Sequence, residues 1–186
     1  MIFSTRTIFR AVMISVVAVT LASCAAQTKV DKIESIKDQG YDTVPKKLSI
    51  VLLNGVEFSE GLKNNVVARI NGCGVQANFF LYNNFKNADF FKSSDTVMSV
   101  GILNQDTTTK TAVGYFSAYV SRATYEFTLQ DPKTQKNLWR SHMDFRQADP
   151  KATVDNAYRN EQSPDLVWAD ALVAQMKKDG LFPGCV

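Results

Sequence analysis

TYEFTL at residues 124–129 and WRSHMDF at residues 139–145 carry the clearest pattern in this chain. In both segments apolar residues alternate with polar ones, and this two-residue period is typical of strands that bury one face. Between them, DPKT at residues 131–134 is typical of a turn. The two segments therefore predict a long β-hairpin with one apolar face and one polar face. The rest of the chain must supply elements that cover the apolar face.

Three shorter segments predict additional strands, at residues 48–53, 75–82 and 97–103. The first is apolar on both faces and is followed by the turn signal Asn54-Gly55, so we expect it near the centre of the sheet. The second alternates between an apolar face and a mixed face. Together with the hairpin, these segments predict a sheet.

The polar segment NQDTTTK at residues 104–110 predicts a connection between two hairpin strands. After it, residues 111–129 predict one extended stretch that is too long for a regular strand. Because glycines and irregular positions mark bulges, we expect a bulge or bend at Gly114 or near residues 121–122.

Two segments predict helices with one apolar stripe each. The first follows Ser59, a favourable N-cap, and ends at residues 72–74 (GCG). The second follows Ser163, has Pro164 at its first position, and ends at Gly180. The predicted stripes are Leu62, Val66, Val67 and Ile70 in the first helix and Leu166, Ala169, Leu172, Val173 and Met176 in the second.

These elements predict the α+β class, with a mainly antiparallel sheet of four to five strands and both helices packed on one face. Trp139 and Trp168 lie next to buried stripes, so we expect both in the core between the hairpin and the last helix. We expect residues 48–186 to form a single domain.

The N-terminal segment predicts export from the cytoplasm. Residues 1–10 include two arginines and no acid, and residues 11–22 are small and apolar apart from Ser15 and Thr20. This apolar run is shorter than the ~20 residues that a membrane-spanning helix needs. Removal of residues 1–23 as a signal peptide would lower the formal net charge from +3 to +1, because both arginines are lost. Such a near-neutral chain gives no indication of nucleic-acid binding.

LASC at residues 21–24 resembles the lipobox of bacterial lipoproteins. The resemblance implies that Cys24 becomes the acylated first residue of the mature chain and anchors it in a membrane. Ala25 stands where an aspartate is associated with inner-membrane retention, so the resemblance favours the outer membrane, facing the periplasm. An ordinary signal peptide with a chance cysteine is the alternative. Residues 24–47 are polar with scattered apolar positions, so we expect them to form a lipidated tether.

The other two cysteines predict a disulfide. In an oxidising compartment Cys73 and Cys185 are natural partners. If the two helices point the same way, both cysteines lie at neighbouring C-terminal helix ends. His142 is the single histidine of the chain, so a zinc site with four nitrogen or sulfur ligands is poorly supported. We expect neither a metal nor a cofactor.

The sequence lacks the common hydrolase and nucleotide-binding signatures. Arg140, His142 and Asp144 share one strand face, which their alternation predicts to be solvated. Two pairs of aspartates, Asp89 with Asp95 and Asp165 with Asp170, are explained by loop solvation and helix capping. We therefore expect no enzymatic activity, although a glycosidase that works with two carboxylates stays open.

Phe85, Phe90 and Phe91 lie in the polar segment 83–95. Aromatic residues in a loop usually pin it to the core, but an exposed cluster would suit a partner or a bilayer. We name these three as candidate partner-binding residues.

The element order resembles the α+β domains of small envelope lipoproteins, such as the lipopolysaccharide-assembly lipoprotein and auxiliary lipoproteins of lipid-transport systems. By analogy this favours a non-catalytic binding or assembly module for another envelope protein, engaged through a sheet edge or the phenylalanine segment. A carrier or sensor of a lipid or glycan, using the sheet face or a crevice under the helices, is the alternative. A cell-envelope hydrolase is the third candidate function.

Overall fold

The computed structural model describes residues 28–82, 89–111, 117–148 and 163–185. These ranges contain six strands and three helices, which we number in chain order. The strands are β1 (Lys29–Lys37), β2 (Lys47–Leu52), β3 (Gln76–Leu81), β4 (Thr96–Thr111), β5 (Ser117–Gln130) and β6 (Asn137–Ala148). The helices are α1 (Glu60–Gly72), the four-residue α2 (Asp89–Lys92) and α3 (Pro164–Lys178).

The six strands form one sheet in the order β1-β6-β5-β4-β2-β3. The neighbouring pairs β1–β6, β6–β5 and β5–β4 are antiparallel, whereas β2 is parallel to both of its neighbours, β4 and β3. The predicted hairpin is β5–β6, in which Glu126 lies opposite His142 and Phe127 opposite Ser141. The α+β class is confirmed, but the sheet has six strands rather than four to five.

Helices α1 and α3 run in the same direction and contact each other. At their N-terminal ends the Ser59 hydroxyl donates to Asp165 Oδ2 at 2.8 Å. Nearer their C-terminal ends Arg69 Nε lies 2.6 Å from Asp170 Oδ1. The parallel arrangement on one side of the sheet brings Cys73 and Cys185 together.

The core lies between these two helices and the sheet. Trp139 and Trp168 are each 1% exposed, which confirms that both belong to the core. The Trp168 ring packs edge-on against Phe58 and Tyr125, with centroid separations of 4.9 and 5.5 Å. The other large, fully buried side chains are Phe127, Phe182, Leu48, Ile50, Ile70, Met98, Leu129, Met143, Leu172 and Met176.

The predicted helix ends are confirmed. Ser59 caps α1, since its hydroxyl accepts from the Leu62 N–H at 2.9 Å. Gly74 after α1 and Gly180 after α3 adopt φ values of 79° and 72°, a region that favours glycine. Ser163 is the N-cap residue of α3, but its side chain makes no capping hydrogen bond.

Residues 29–37 do not belong to a tether, contrary to the prediction for residues 24–47. They form β1, an edge strand that pairs with β6 along its whole length. Val30 and Ile33 pack against the core cluster. A shift of register between Val30 and Lys32 places two inward-facing residues three positions apart. This bulge disrupts the two-residue period by which a strand is recognised in sequence.

The predicted connection at residues 104–110 is also wrong, because these residues continue β4. They pair with residues 118–124 of β5. The threonines at 107–109 are β-branched and suit a strand, although their polarity suggests a loop. The register shift of this pair lies between Ile102 and Asn104, and pairing is regular at residues 121–122. Gly114 lies outside the described residues.

The predicted signal peptide and Cys24 also lie outside the described residues. In the ranges given above, no helix is both long enough and apolar enough to cross a membrane.

Candidate functional site

The sheet exposes polar side chains on its second face, opposite α1 and α3. Here β1, β6 and β5 form a flat surface around Glu34, Glu126, Arg140 and His142, which we call the open-face cluster. Glu34 and Glu126 lie directly across from His142 on its two neighbouring strands. The His142 Nε2 atom lies 3.4 Å from Glu126 Oε1. The Glu34 and His142 side chains are 65% and 50% exposed, so this cluster is accessible to a binding partner.

A shallow groove of about 560 Å³ follows this cluster across three strands. Ile36, which is 79% exposed, adds an apolar side chain to the otherwise polar lining. The lining residues are Glu34, Ser35, Ile36, Glu126, Arg140, Ser141 and His142. Carboxylates, a guanidinium and an imidazole can donate and accept hydrogen bonds, so the groove suits a polar partner or a glycan.

A second polar group lies on the same sheet, where β1 begins. Lys29 Nζ is 2.8 Å from Asp31 Oδ1, and Arg146 Nη2 is 3.5 Å from the same oxygen. The hydrogen bond from Lys29 holds the pKa of the Asp31 carboxyl below its usual value, and Arg146 and Arg122 add to this effect. Nearby, Thr124 Oγ1 donates to Asp144 Oδ1 at 2.8 Å. Lys29 and Arg146 therefore balance the charge of Asp31, whereas Thr124 donates a hydrogen bond to Asp144 without cancelling its charge.

Of the predicted polar face, the structure places Arg140 and His142 in the open-face cluster and ties Asp144 to Thr124. The sequence pattern does not predict Glu34 as a residue of this face, because it predicts a tether for residues 24–47. The signal that could have found it is the alternation of Glu34 and Ile36 with Ile33 and Ser35, which resumes after the bulge.

The cluster offers limited chemistry for catalysis. Ser141 is buried, and its hydroxyl donates to the Glu34 carbonyl oxygen at 2.9 Å, so it is not presented as a nucleophile beside His142. No group of three histidine, cysteine, aspartate or glutamate side chains within the described ranges could hold a metal ion.

The aspartates considered as catalytic pairs have structural contacts. Asp165 and Asp170 bond Ser59 and Arg69 between the two helices. Asp95 accepts from the backbone N–H groups of Lys46 and Lys47 at 2.8 and 3.1 Å. These bonds give three of the four aspartates a structural role, and Asp89 lies 3.7 Å from Lys92 Nζ on the surface.

Among the predicted site residues, Cys73 and Cys185 form a disulfide with a Cα–Cα distance of 4.1 Å. Phe90 and Phe91 belong to α2, whereas Cys24 and Phe85 lie outside the described residues. Acylation of Cys24 and partner binding by the three phenylalanines stay predictions.

The two edges of the sheet differ in their accessibility to an added strand. On β3, the N–H groups of Ala77 and Phe79 donate to the side-chain oxygens of Asn71 and Asn78, both at 2.9 Å. These asparagines occupy positions at which another strand would bond. No side chain of the described residues accepts from a backbone N–H of β1 in this way. Within the described ranges, β1, which borders the open-face cluster, therefore lacks the side-chain bonds that cap the backbone of β3.

No family model matches the sequence, and no curated protein is significantly similar to it. Three solved structures have a related outline. The "PelC dodecamer" from Paraburkholderia phytofirmans is 14% identical, covering 83% of this chain and 99% of that chain, with a TM-score of 0.45. A "Minor Lipoprotein" from Acinetobacter baumannii is 15% identical over 72% of this chain and 94% of its own, with a TM-score of 0.41. "Lipoprotein GNA1162" from Neisseria meningitidis is 18% identical over 72% and 99%, also with a TM-score of 0.41. At such values we base no functional argument on these resemblances.

Proposed function

We propose that this protein is a lipid-anchored, non-catalytic binding or assembly module of the bacterial cell envelope. In this proposal Cys24 carries the lipid, the anchor lies in the outer membrane, and the domain faces the periplasm, where it engages another envelope protein. The single observation that supports the module best is the exposed open-face cluster next to the β1 edge.

The packing under the helices favours a module over a carrier of a large apolar ligand. The helix-covered side of the sheet is filled by fully buried aromatic and aliphatic side chains, including Trp139, Phe127 and Phe182. An apolar ligand would need a cavity of several hundred Å³ there, whereas the described side chains between the helices and the sheet are almost fully excluded from solvent by one another.

One charged residue of the open face is of a type that protein interfaces favour. This face combines Arg140 with an exposed Ile36 and charged neighbours, and arginine is enriched in interfaces. A partner strand added to β1 would lie beside the cluster, so that backbone bonds and side-chain contacts could act together.

A pull-down from gently solubilised membranes tests this proposal. The bait is the acylated protein, compared with Cys24→Ala, with the charge reversal Arg140→Glu and with Lys178→Glu. Lys178 is a matched control, because it is also exposed but lies on α3, on the other side of the sheet. We expect one envelope protein to be recovered with the wild type and with Lys178→Glu, and to be lost with Arg140→Glu.

Recovery that is equal for the two charge reversals would contradict the role of the open face. The double variant Phe90→Ser and Phe91→Ser then decides whether the predicted phenylalanine residues bind the partner instead.

The groove itself favours a second candidate, a carrier or sensor of a glycan. Its carboxylates, guanidinium and imidazole can bond sugar hydroxyls, and its size suits a short oligosaccharide. A defined sugar that is released from the purified protein, in the absence of any partner, would favour this candidate. A hydrolase would instead show activity on cell-wall or lipid substrates that is lost in His142→Ala.

A further inference from the structure

The position of β1 limits how far the domain can lie from its lipid. Only residues 25–28 separate Cys24 from Lys29, the first residue of β1. Even fully extended, these five residue steps span about 17 Å. A tether that ended at residue 47 would have allowed several times this distance.

The β4–β5 hairpin extends past the start of β1. Lys29 lies opposite Arg146, which lies opposite Arg122 of β5. Beyond this row, residues 107–111 of β4 still pair with residues 117–121 of β5, and we call this part the β4–β5 ribbon. From Arg122 back to Ser117, β5 also covers five residue steps, or about 17 Å.

At the first residue of β1 the backbone points toward the end of the sheet at which the ribbon lies. Strands β1 and β5 are both antiparallel to β6, so the chain that precedes Lys29 leaves toward the end at which β5 starts. The ribbon can therefore reach as far as the acylated cysteine. Between Lys110 and Arg122 the sequence has no charged residue. Tyr119, in the ribbon, is of a type that is enriched at membrane interfaces.

From these observations we propose that the β4–β5 ribbon rests on the lipid bilayer that holds the acyl chains, and that the β5–β6 turn points away from it. This inference rests on the proposed acylation of Cys24. It would make the ribbon a second membrane contact, so the domain would stand with its sheet upright and with β1 and the open-face cluster free for a partner.

Single fluorescent labels test this orientation in the acylated protein. The mature chain would hold no free thiol, because Cys24 is acylated and Cys73 is bonded to Cys185. A cysteine introduced as Thr109→Cys labels the ribbon, and Lys133→Cys labels the opposite turn, about 35 Å away along β5. Thr111→Cys serves as a second ribbon position if the first variant folds poorly.

The labelled proteins are bound to phosphatidylcholine vesicles that carry a nitroxide quencher on the headgroup. We expect the ribbon label to be quenched several times more strongly than the Lys133→Cys label. Equal quenching at both positions, or stronger quenching at the turn, would overturn the inference.

Two controls separate this inference from the proposed function. Mass spectrometry of the N-terminal peptide and flotation with the vesicles show whether the chain is acylated and anchored before any label is measured. A protein that floats but lacks the difference in quenching refutes the ribbon contact and leaves the anchored module intact. A protein that is not acylated refutes the anchor itself.

Discussion

Asp131 organises the turn between β5 and β6. Its Oδ1 atom accepts from the backbone N–H groups of Lys133 and Thr134, at 2.8 and 3.4 Å. The bond from the Lys133 N–H lowers the pKa of the Asp131 carboxyl, with help from Thr134. The folded state therefore prefers the charged carboxylate, and its contribution to stability is present above the ordinary pKa and is lost as the pH falls through the lowered value.

We expect Asp131→Asn to lower the thermal midpoint near pH 7 and to have a smaller effect near pH 3, where this carboxyl is already largely protonated in the unfolded chain. Thermal unfolding followed by circular dichroism at both values measures this. Asp42→Asn, at an exposed aspartate, is the control and should change the midpoint little. A penalty for Asp131→Asn that is as large at acidic pH as at neutral pH would contradict the role of the charge.

Asp179 is the hydrogen-bond partner of a core tryptophan. Trp139 Nε1 donates to Asp179 Oδ2 at 2.7 Å, and Gln175 Nε2 donates to Asp179 Oδ1 at 3.0 Å. Loss of the acceptor would leave the indole N–H of Trp139 buried without this bond. Asp179→Ala should therefore lower the free energy of unfolding by about 1–2 kcal/mol.

Urea denaturation measures this effect, and Asp179→Asn is the matched control because it keeps an acceptor oxygen. The double variant of Asp179→Ala and Trp139→Phe should lose less stability than the sum of the two single variants, since the N–H that would lack its partner is then absent. Fully additive losses would show that the bond contributes nothing. The sequence predicts the burial of Trp139 from its alternation, but not this partner, because Asp179 is 40 residues away and lies at a helix end that suits many polar residues.

At the scale of elements, β1 is a strand that the sequence pattern does not predict. Ile33 packs against the core, whereas Ile36, three residues later, is 79% exposed. We expect Ile33→Ala to lower the free energy of unfolding by about 1–2 kcal/mol. Ile36→Ala should change it by less than about 0.5 kcal/mol. Urea denaturation of both variants tests β1 directly, because a flexible tether would make the two substitutions equally harmless.

The elements recovered from sequence are those with an uninterrupted period or a strong boundary signal. The β5–β6 hairpin alternates without a break, and α1 and α3 have capping residues at both ends. The sequence pattern predicts other structures where a bulge shifts the register, as in β1, or where polar threonines continue a strand, as in β4. The open-face cluster could be predicted only in part, because Glu34 comes from the misread strand and long-range pairing is not encoded locally.

At the scale of the whole molecule, the disulfide joins Cys73, at the end of α1, to Cys185, in the C-terminal segment that follows α3, across 112 residues of sequence. In the chain-entropy model, closing a loop of this length stabilises the folded state by about 5 kcal/mol. We expect reduction with dithiothreitol to shift the urea midpoint to clearly lower concentration. The double variant Cys73→Ala and Cys185→Ala should unfold near the reduced wild type and should not respond to the reductant. If reduction also left the urea midpoint of the wild type unchanged, the disulfide would not contribute to stability.

The position of β1 in the sheet also bears on the order of folding. Strand β1 is the first described element of the chain, and most of the domain lies between it and its partner β6 in sequence. The hydrogen bond from the Ser141 hydroxyl to the Glu34 carbonyl oxygen, for example, joins residues that are 107 positions apart. A chain that emerges from the ribosome N-terminus first cannot form this pair until β6 has been made. Such distant contacts slow folding, because the entropy of closing the intervening chain is lost before the contact forms. The emerging chain would therefore keep β1 unpaired until β6 has been made, and a holding chaperone would be most useful during that interval.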